Sequence, residues 1–257
     1  MKNYKSNEER TAEYKQNFNR EKVVKYLIKN ESPLILDVGA NIGSSIDEFK
    51  TWWPSSVIHS FEPQQECWEH LDIRVSNYPL GQLSINKCAV GNKSNIHASF
   101  YTHDMSTGVS GFNRINLQSK DSIQLNTMRN NDQHTISDFE VTLNHERKVE
   151  IIRLDNYLDK LKINHVDLLK IDTQGFEPEV LDGLGLKLSN IDVVISELMF
   201  YDYYERSLSF SDIEKYLLPA GFHLYDISHI AKNPMNGRTD WVDVIYVNNR
   251  LREPKNA

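Results

Sequence analysis

Four carboxylates in this sequence sit where short apolar runs stop. Leu34-Ile-Leu-Asp37-Val runs into the turn Gly39-Ala40-Asn41-Ile42-Gly43, and Val57-Ile-His-Ser-Phe61 runs into Glu62-Pro63. Val166-Asp-Leu-Leu-Lys-Ile runs into Asp172, and Val193-Val-Ile-Ser ends in Glu197. If these runs are parallel strands, the acids fall at their carboxyl ends, where open α/β sheets bind ligands. Gly39 and Gly43 allow the backbone to pass close to a ligand in conformations denied to other residues. A carboxylate ending the second strand, as Glu62 does, can accept hydrogen bonds from both hydroxyls of a ribose. A plain strand–turn–helix with an acid as the helix cap explains either half of this pattern alone. Both halves at this spacing point to a nucleoside site.

The loop separates one cofactor from another. A dinucleotide turn beginning at Gly39 would place further glycines at positions 41 and 44, where this chain has Asn41 and Ser44. Such a loop is glycine-poor for cradling a pyrophosphate. S-adenosylmethionine, which has a ribose and no phosphates, suits it better than NAD.

Asp172 and Glu197 supply the second kind of chemistry. Neighbouring strands that end in acids gather negative charge at one edge, where it can orient a hydroxyl, take its proton, or hold a hard cation such as Mg²⁺. Asp172 is the first choice for the catalytic carboxylate, with Glu197 as partner. Two carboxylates without a firm third ligand underspecify a metal site. Glu177, just before Pro178, has the simpler reading of an acid favoured by a helix amino terminus, worth under about 1 kcal/mol. Looser candidates are Asp240, which precedes Trp241, and Tyr201, Tyr203 and Tyr204, which either stack on a sugar ring or pack at the sheet rim. His103, His134 and His229 are expected at the surface.

The elements that must position these residues alternate along the chain as in a parallel sheet with crossover helices. Strands are expected at Leu34–Val38, Val57–Phe61, Leu83–Val90, Glu150–Leu154, His165–Asp172, Ile191–Leu198, Phe222–Ile227 and Trp241–Asn248. Ile96–Tyr101 is expected to hairpin onto the third of these. Helices are expected at Ser44–Trp53, Gln64–Asn77, Asn156–Leu161 with Asp155 as cap, Glu177–Leu184, and Ser211–Leu218 capped by Ser209 or Ser211. The last two strands lack a helix between them and suggest an antiparallel hairpin. Residues 1–30 read as a polar helical extension and 31–257 as one α/β domain. A polar insertion at about 102–147 is long enough for a lid or an acceptor-binding region.

Composition narrows the class. The chain has 257 residues, 39% hydrophobic and 25% charged, enough for one sizeable core. A formal net charge of -7 argues against a nucleic-acid groove. The charged amino terminus has no apolar h-region, no run is apolar enough to cross a bilayer, and Cys67 and Cys88 are the only cysteines. A cytoplasmic protein without disulfides or a zinc site is therefore expected.

LILDVGANIGSS, FEP, NKCAVGN (86–92), RLDNYL (153–158), LLKIDTQGFEPEVLDG (168–183) and VISE occur in that order. Together they resemble the FkbM-type family of S-adenosylmethionine-dependent methyltransferases over residues 33–248. The resemblance implies a Rossmann-like class I fold, a mostly parallel seven-stranded sheet with an antiparallel last strand and helices on both faces. It also implies O-methylation of a hydroxyl on a sugar or polyketide-like natural product. Asp37, Gly39, Ala40, Asn41 and Gly43 correspond to the cofactor loop, Glu62 and Pro63 to the ribose site, and Ala89 and Val90 to the adenine site. Asp172 corresponds to the acid near the transferred methyl, and Glu177 to the second acid of that motif. The chain departs from the family at Gln174, where Glu is common. Two alternatives remain open: a methyltransferase-like binding protein without turnover, and an NAD-dependent oxidoreductase.

Overall fold

Apolar runs alternating with amphipathic segments build a seven-stranded sheet flanked by helices. A computed structural model describes residues 5–94, 96–104, 106–120, 122, 142–234 and 236–251. The large-sheet strands are β1 (Leu34–Val38), β2 (Val57–Phe61), β3 (Leu83–Asn86), β7 (Val166–Ile171), β8 (Ile191–Met199), β9 (Phe222–Lys232) and β10 (Thr239–Asn248). Their order is β3-β2-β1-β7-β8-β10-β9. The first five are parallel, and β10 runs antiparallel to both β8 and β9. A smaller sheet has the order β4-β6-β5, from Ala89–Val90, His145–Ile152 and Ile96–Thr102.

The central strands are mostly apolar and buried along nearly their whole length because both faces are covered. Alternate side chains go to opposite sides. Ile35, Ile58, Leu168 and Val193 join α2 (Arg20–Leu27), α3 (Ser44–Trp52) and α4 (Gln65–Ser76) in one core. Leu36, Leu169, Val194 and Val244 join α5 (Leu154–Leu161), α6 (Glu177–Asp182) and α7 (Phe210–Leu217) in the other. The first helix, α1 (Asn7–Asn17), is closed by a Ser6/Glu9 capping box and buries none of its residues. α2 buries Val23, Val24 and Leu27. Cys67 and Cys88 are buried and unpaired. No helix among the described residues is long and apolar enough to cross a membrane.

Three expectations need correction. The run Leu83–Val90 is not one strand: β3 ends at Asn86, whose side-chain Nδ2 donates to the Ser60 carbonyl (3.1 Å), and Ala89–Val90 pairs instead with Ile151–Ile152. An apolar run does not record which sheet each half joins. β5 likewise pairs antiparallel with β6, not with the third strand, and β6 begins at His145. Asp155 is not the cap of α5. Arg153 holds that position, and Asp155 lies in the first turn, paired with the Arg153 guanidinium. The hairpin is as expected, although β9 continues to Lys232 because β10 pairs with it from Thr239. Ser209 caps α7, in a capping box with Asp212. Part of the polar insertion, residues 121 and 123–141 with His134, lies outside the described residues.

Phe49 is wholly buried on α3 between α2 and the sheet. Phe49→Ala is expected to cost about 3–5 kcal/mol through lost burial and a residual cavity. Urea unfolding should show a lower midpoint with an unchanged slope.

Candidate active site at the carboxyl edge of the sheet

The turn after β1 is shaped by its neighbours on both sides. The Gly39 and Ala40 amides both donate to the Phe61 carbonyl, at 3.0 and 3.1 Å. Gly39 has φ +82°, and a Cβ there would stand 1.9 Å from the Asp172 carbonyl oxygen. Only glycine lets the chain emerging from β1 pass this close to the end of β7. Asn41 also has positive φ; its amide donates to Glu62 Oε2 (2.8 Å), and its Oδ1 accepts from the Thr107 hydroxyl (2.9 Å). Gly43, at φ +93°, opens α3. The second Glu62 oxygen accepts from the Gln64 amide (2.8 Å). Burial pushes the Glu62 carboxyl up to about 7 against these backbone hydrogen bonds.

Glu62 and Pro63 line a cavity with Ala89, Val90, Phe100 and Phe112. Gly39 and Asn41 line it as well, and Asp172, Thr173 and Gln174 continue the same wall. The expected ribose and adenine residues are therefore together. Thr107, Gly108 and Ser110, from the insertion, contribute to the same enclosure. Ala40 instead lines an adjoining groove with Ser44, Ser45 and Glu48.

Asp37 is placed differently. It is wholly buried and accepts from the Ser45 and Ser60 hydroxyls at 2.7 and 3.3 Å. Its other oxygen faces Lys170 Nζ at 3.5 Å. Asp37 therefore shapes the site through the loop, without an exposed atom to offer a ligand.

Lys170 is the residue that sequence reasoning missed. Its ammonium lies 3.3 Å from Asp172 Oδ2 and donates to the Gly39 carbonyl at 3.1 Å. Burial works against this charge, but Asp172 and Asp37 outweigh it and raise the lysine above its ordinary value. The available signal was a lysine set between Leu169 and Ile171 in a strand that is buried at every position.

Asp172 and Glu197 converge on one donor. The Gln174 amide nitrogen lies 2.8 Å from Asp172 Oδ1 and 3.1 Å from Glu197 Oε1. The Tyr204 hydroxyl lies 2.8 Å from both Gln174 Oε1 and the Val109 carbonyl. Burial, then the Asp172 and Asp243 charges, lift Glu197 well above the ordinary carboxylate range. A second cavity begins at this pair, bounded by Arg20, Lys170, His229, Trp241 and Asp243.

Glu177 turns back into its own loop. One oxygen accepts from the Thr173 and Gly175 amides at 2.9 and 3.3 Å, and burial raises the carboxyl to about 7. It holds the Asp172–Gly175 turn in shape. Tyr201, Tyr203 and Tyr204 are buried with Val109, Ile115 and Leu143, so they pack the insertion onto the body and offer no open stacking face. Asp240 is paired with Arg238 at 3.0 Å. His103 is also corrected: it is buried, accepts from the Asn144 amide, and burial lowers its imidazole to about 4. His229 is exposed but lines the second cavity. Among the described residues, the metal-like group of three is His165, Asp167 and Asp192. Asp192 and Asp167 there are held by Arg250 and by Asn30 with the Leu34 amide.

A sheet of this order, with its antiparallel final strand and a ligand edge at the ends of β1, β2 and β7, is the class I methyltransferase architecture. A solved methyltransferase FkbM from Methylobacillus flagellatus KT shares the fold, with TM-score 0.51 and 14% identity over 84% of this chain and 44% of that one. The chain belongs to the methyltransferase FkbM domain family, whose model matches residues 37–224. It is 27% identical to Methyltransferase 1 of Beauveria bassiana over 172 residues, 65% of this chain and 65% of that protein. The match thus spans just under two thirds of that relative. It is 25% identical to the 2-O-methyltransferase NoeI of Sinorhizobium fredii over 187 residues, 71% of this chain and 70% of that one.

Glu62 is half-protonated near pH 7 when its partners are the two backbone amides alone. Ribose hydroxyls would donate to the ionised form, lower this pKa, and release a proton. Affinity for S-adenosylhomocysteine is therefore expected to rise with pH through 7 and level off above it. Between pH 8 and 6 it should fall about tenfold, and Glu62→Gln should flatten the dependence. Titration calorimetry in buffers of different ionisation enthalpy measures both effects.

Proposed function

We propose that this chain transfers the methyl group of S-adenosylmethionine to a hydroxyl oxygen of a small molecule or carbohydrate. The observation that carries the proposal is the meeting of two cavities at Asp172. On one side are Glu62, Ala89 and Val90; on the other are Glu197, His229 and Trp241. The residues fit the cofactor: Glu62 has acceptor oxygens for ribose hydroxyls, and Ala89, Val90 and Phe112 offer apolar surface for a purine. Absence of a side chain at Gly39 leaves the loop close to that space. Membership of the family supports methyl transfer, and the relative named as a 2-O-methyltransferase supports oxygen as the acceptor atom.

Bound at this edge, S-adenosylmethionine supplies a methyl group on a sulfonium that leaves as a neutral thioether. The chain's own task is then to align the acceptor oxygen, exclude water and take one proton. Phe112, packed against Phe176 with ring centroids 4.1 Å apart, and the Thr107–Ser110 segment would shield the nucleoside side. Glu197 is assigned the hydroxyl proton, because burial and the Asp172 and Asp243 charges raise its basicity well above that of an ordinary carboxylate. Asp172, tied to Lys170 and Gln174, orients the hydroxyl. This exchanges the roles first assigned to the two carboxylates.

The test is labelled-methyl transfer to a panel of neutral glycosides, with calorimetry for S-adenosylhomocysteine and NAD. Nucleoside thioether binding without NAD binding is expected; the reverse would overturn the proposal. Glu197→Gln should lower turnover by about 10²–10⁴ while retaining cofactor affinity. Glu197 must be ionised to accept a proton, so wild-type rate should fall as pH drops through a midpoint above the ordinary glutamate value of 4.5. An acidic limb at that ordinary value would remove Glu197 from this role.

Proton transfer to a carboxylate without Mg²⁺ is favoured by Gln174. Its amide donates to Asp172 and Glu197 together, where a cation bridging them would need an acceptor for a neighbour. Chelator is expected to leave turnover unchanged. Gln174→Glu should gain Mn²⁺ binding, visible by electron paramagnetic resonance, that the wild type lacks.

A further inference from the structure

Arg20 enters this edge from outside the 37–224 stretch that defines the family. It is the first residue of α2, whose amino terminus is capped by Asn19 and whose Val23, Val24 and Leu27 are fixed in the core. The guanidinium is therefore carried on an anchored element. Its Nη1 lies 3.2 Å from Asp243, and its Nη2 lies 3.9 Å from Glu48, beyond hydrogen-bond distance. Its Nε is buried and has no hydrogen-bond partner among the described residues.

Arg20 also lines the groove that continues from the nucleoside cavity. The two spaces share Gly39, Asn41, Thr107, Gly108 and Asp172, and the groove then runs past Ser44 and Glu48. Among the described residues two cations line it, Arg20 and Lys170. Lys170 is already committed to Asp37, Asp172 and the Gly39 carbonyl. An amino-acid tail lying in this groove brings an ammonium and a carboxylate. Asp172 suits the ammonium; the carboxylate needs a donor, and the unused Nε–H of Arg20 is one.

Resting on the cofactor proposed above, we infer that Arg20 binds the α-carboxylate of the cofactor's amino-acid tail. The planar guanidinium can present Nε and a neighbouring Nη to two carboxylate oxygens while Asp243 keeps its hold on Nη1. Asp243 and Glu48 are the opposing negative charges. Asp243 is occupied by Nη1, and Glu48 stands back at 3.9 Å. The amino-terminal helix pair is thereby part of the cofactor site, and the family domain alone lacks one of its ligands.

The experiment compares two probes that differ by the amino-acid tail, using the full chain. S-adenosylhomocysteine carries the carboxylate; 5′-methylthioadenosine has the nucleoside thioether without it. In calorimetry, Arg20→Met should weaken S-adenosylhomocysteine about tenfold or more, as expected for a lost charge-assisted hydrogen bond. Methylthioadenosine affinity should stay as in the wild type, which also shows that the variant is folded. Equal losses for both probes, or none for either, would overturn the role of Arg20. Should Arg20→Met fail to fold, Arg20→Gln is measured in the same way, and selective loss of the carboxylate-bearing probe is again required. Wild-type protein that binds neither probe would refute the cofactor reading itself, a result distinct from an Arg20 variant that keeps its preference.

Discussion

The Lys170 ammonium is the interaction on which the ligand edge depends. It connects the ends of β1 and β7 by facing Asp37 and Asp172 and by donating to the Gly39 carbonyl. Without it, Asp37 would be an unpaired charge with no exposure at all, and breaking a buried pair in that way typically costs about 3–5 kcal/mol. The loop that follows β1 would also lose the group that holds its first carbonyl. Glycine at position 39 and lysine at position 170 are thus two requirements of one close approach. The glycine provides the space, and the lysine neutralises what gathers there.

The remaining acids divide by what surrounds them. Glu62 and Glu177 are both buried and both raised to about 7, yet each accepts backbone amides. Glu62 lines a cavity while Glu177 faces its own turn, so similar basicity accompanies different work. Glu197 differs again, since it shares one carboxamide with Asp172. A glutamate at position 174 would add a charge between two carboxylates. Glutamine instead supplies a donor to them and an acceptor to the Tyr204 hydroxyl. That hydroxyl also reaches the Val109 carbonyl, so the insertion is coupled to the carboxylate pair through one side chain.

Much of the frame was legible in the sequence because strand ends announce themselves. Asp37, Glu62, Asp172 and Glu197 each follow an apolar run, and the sheet brings β1, β7 and β8 side by side as expected. Partner choice was less legible. Ala89–Val90 continues an apolar run but leaves for a second sheet, since hydrophobicity fixes burial and not the neighbouring strand. Lys170 was hidden inside its strand, and the polar company of His103 masked its burial. Arg20 had no motif at all. Its meaning comes from a partner 223 residues away.

That distance has a consequence for the chain during its synthesis. Chains emerge amino terminus first, and a domain generally folds as a unit. The strands that frame the nucleoside edge, β1, β2 and β7, are all synthesised before β10. The Arg20–Asp243 pair and the Trp241 wall of the second cavity must wait for the last strand of the sheet. A nascent chain that has reached β7 therefore carries every strand of the nucleoside edge and still lacks a wall of the chamber opposite it. Completion of the chain, not of its most recognisable motif, closes the reaction space.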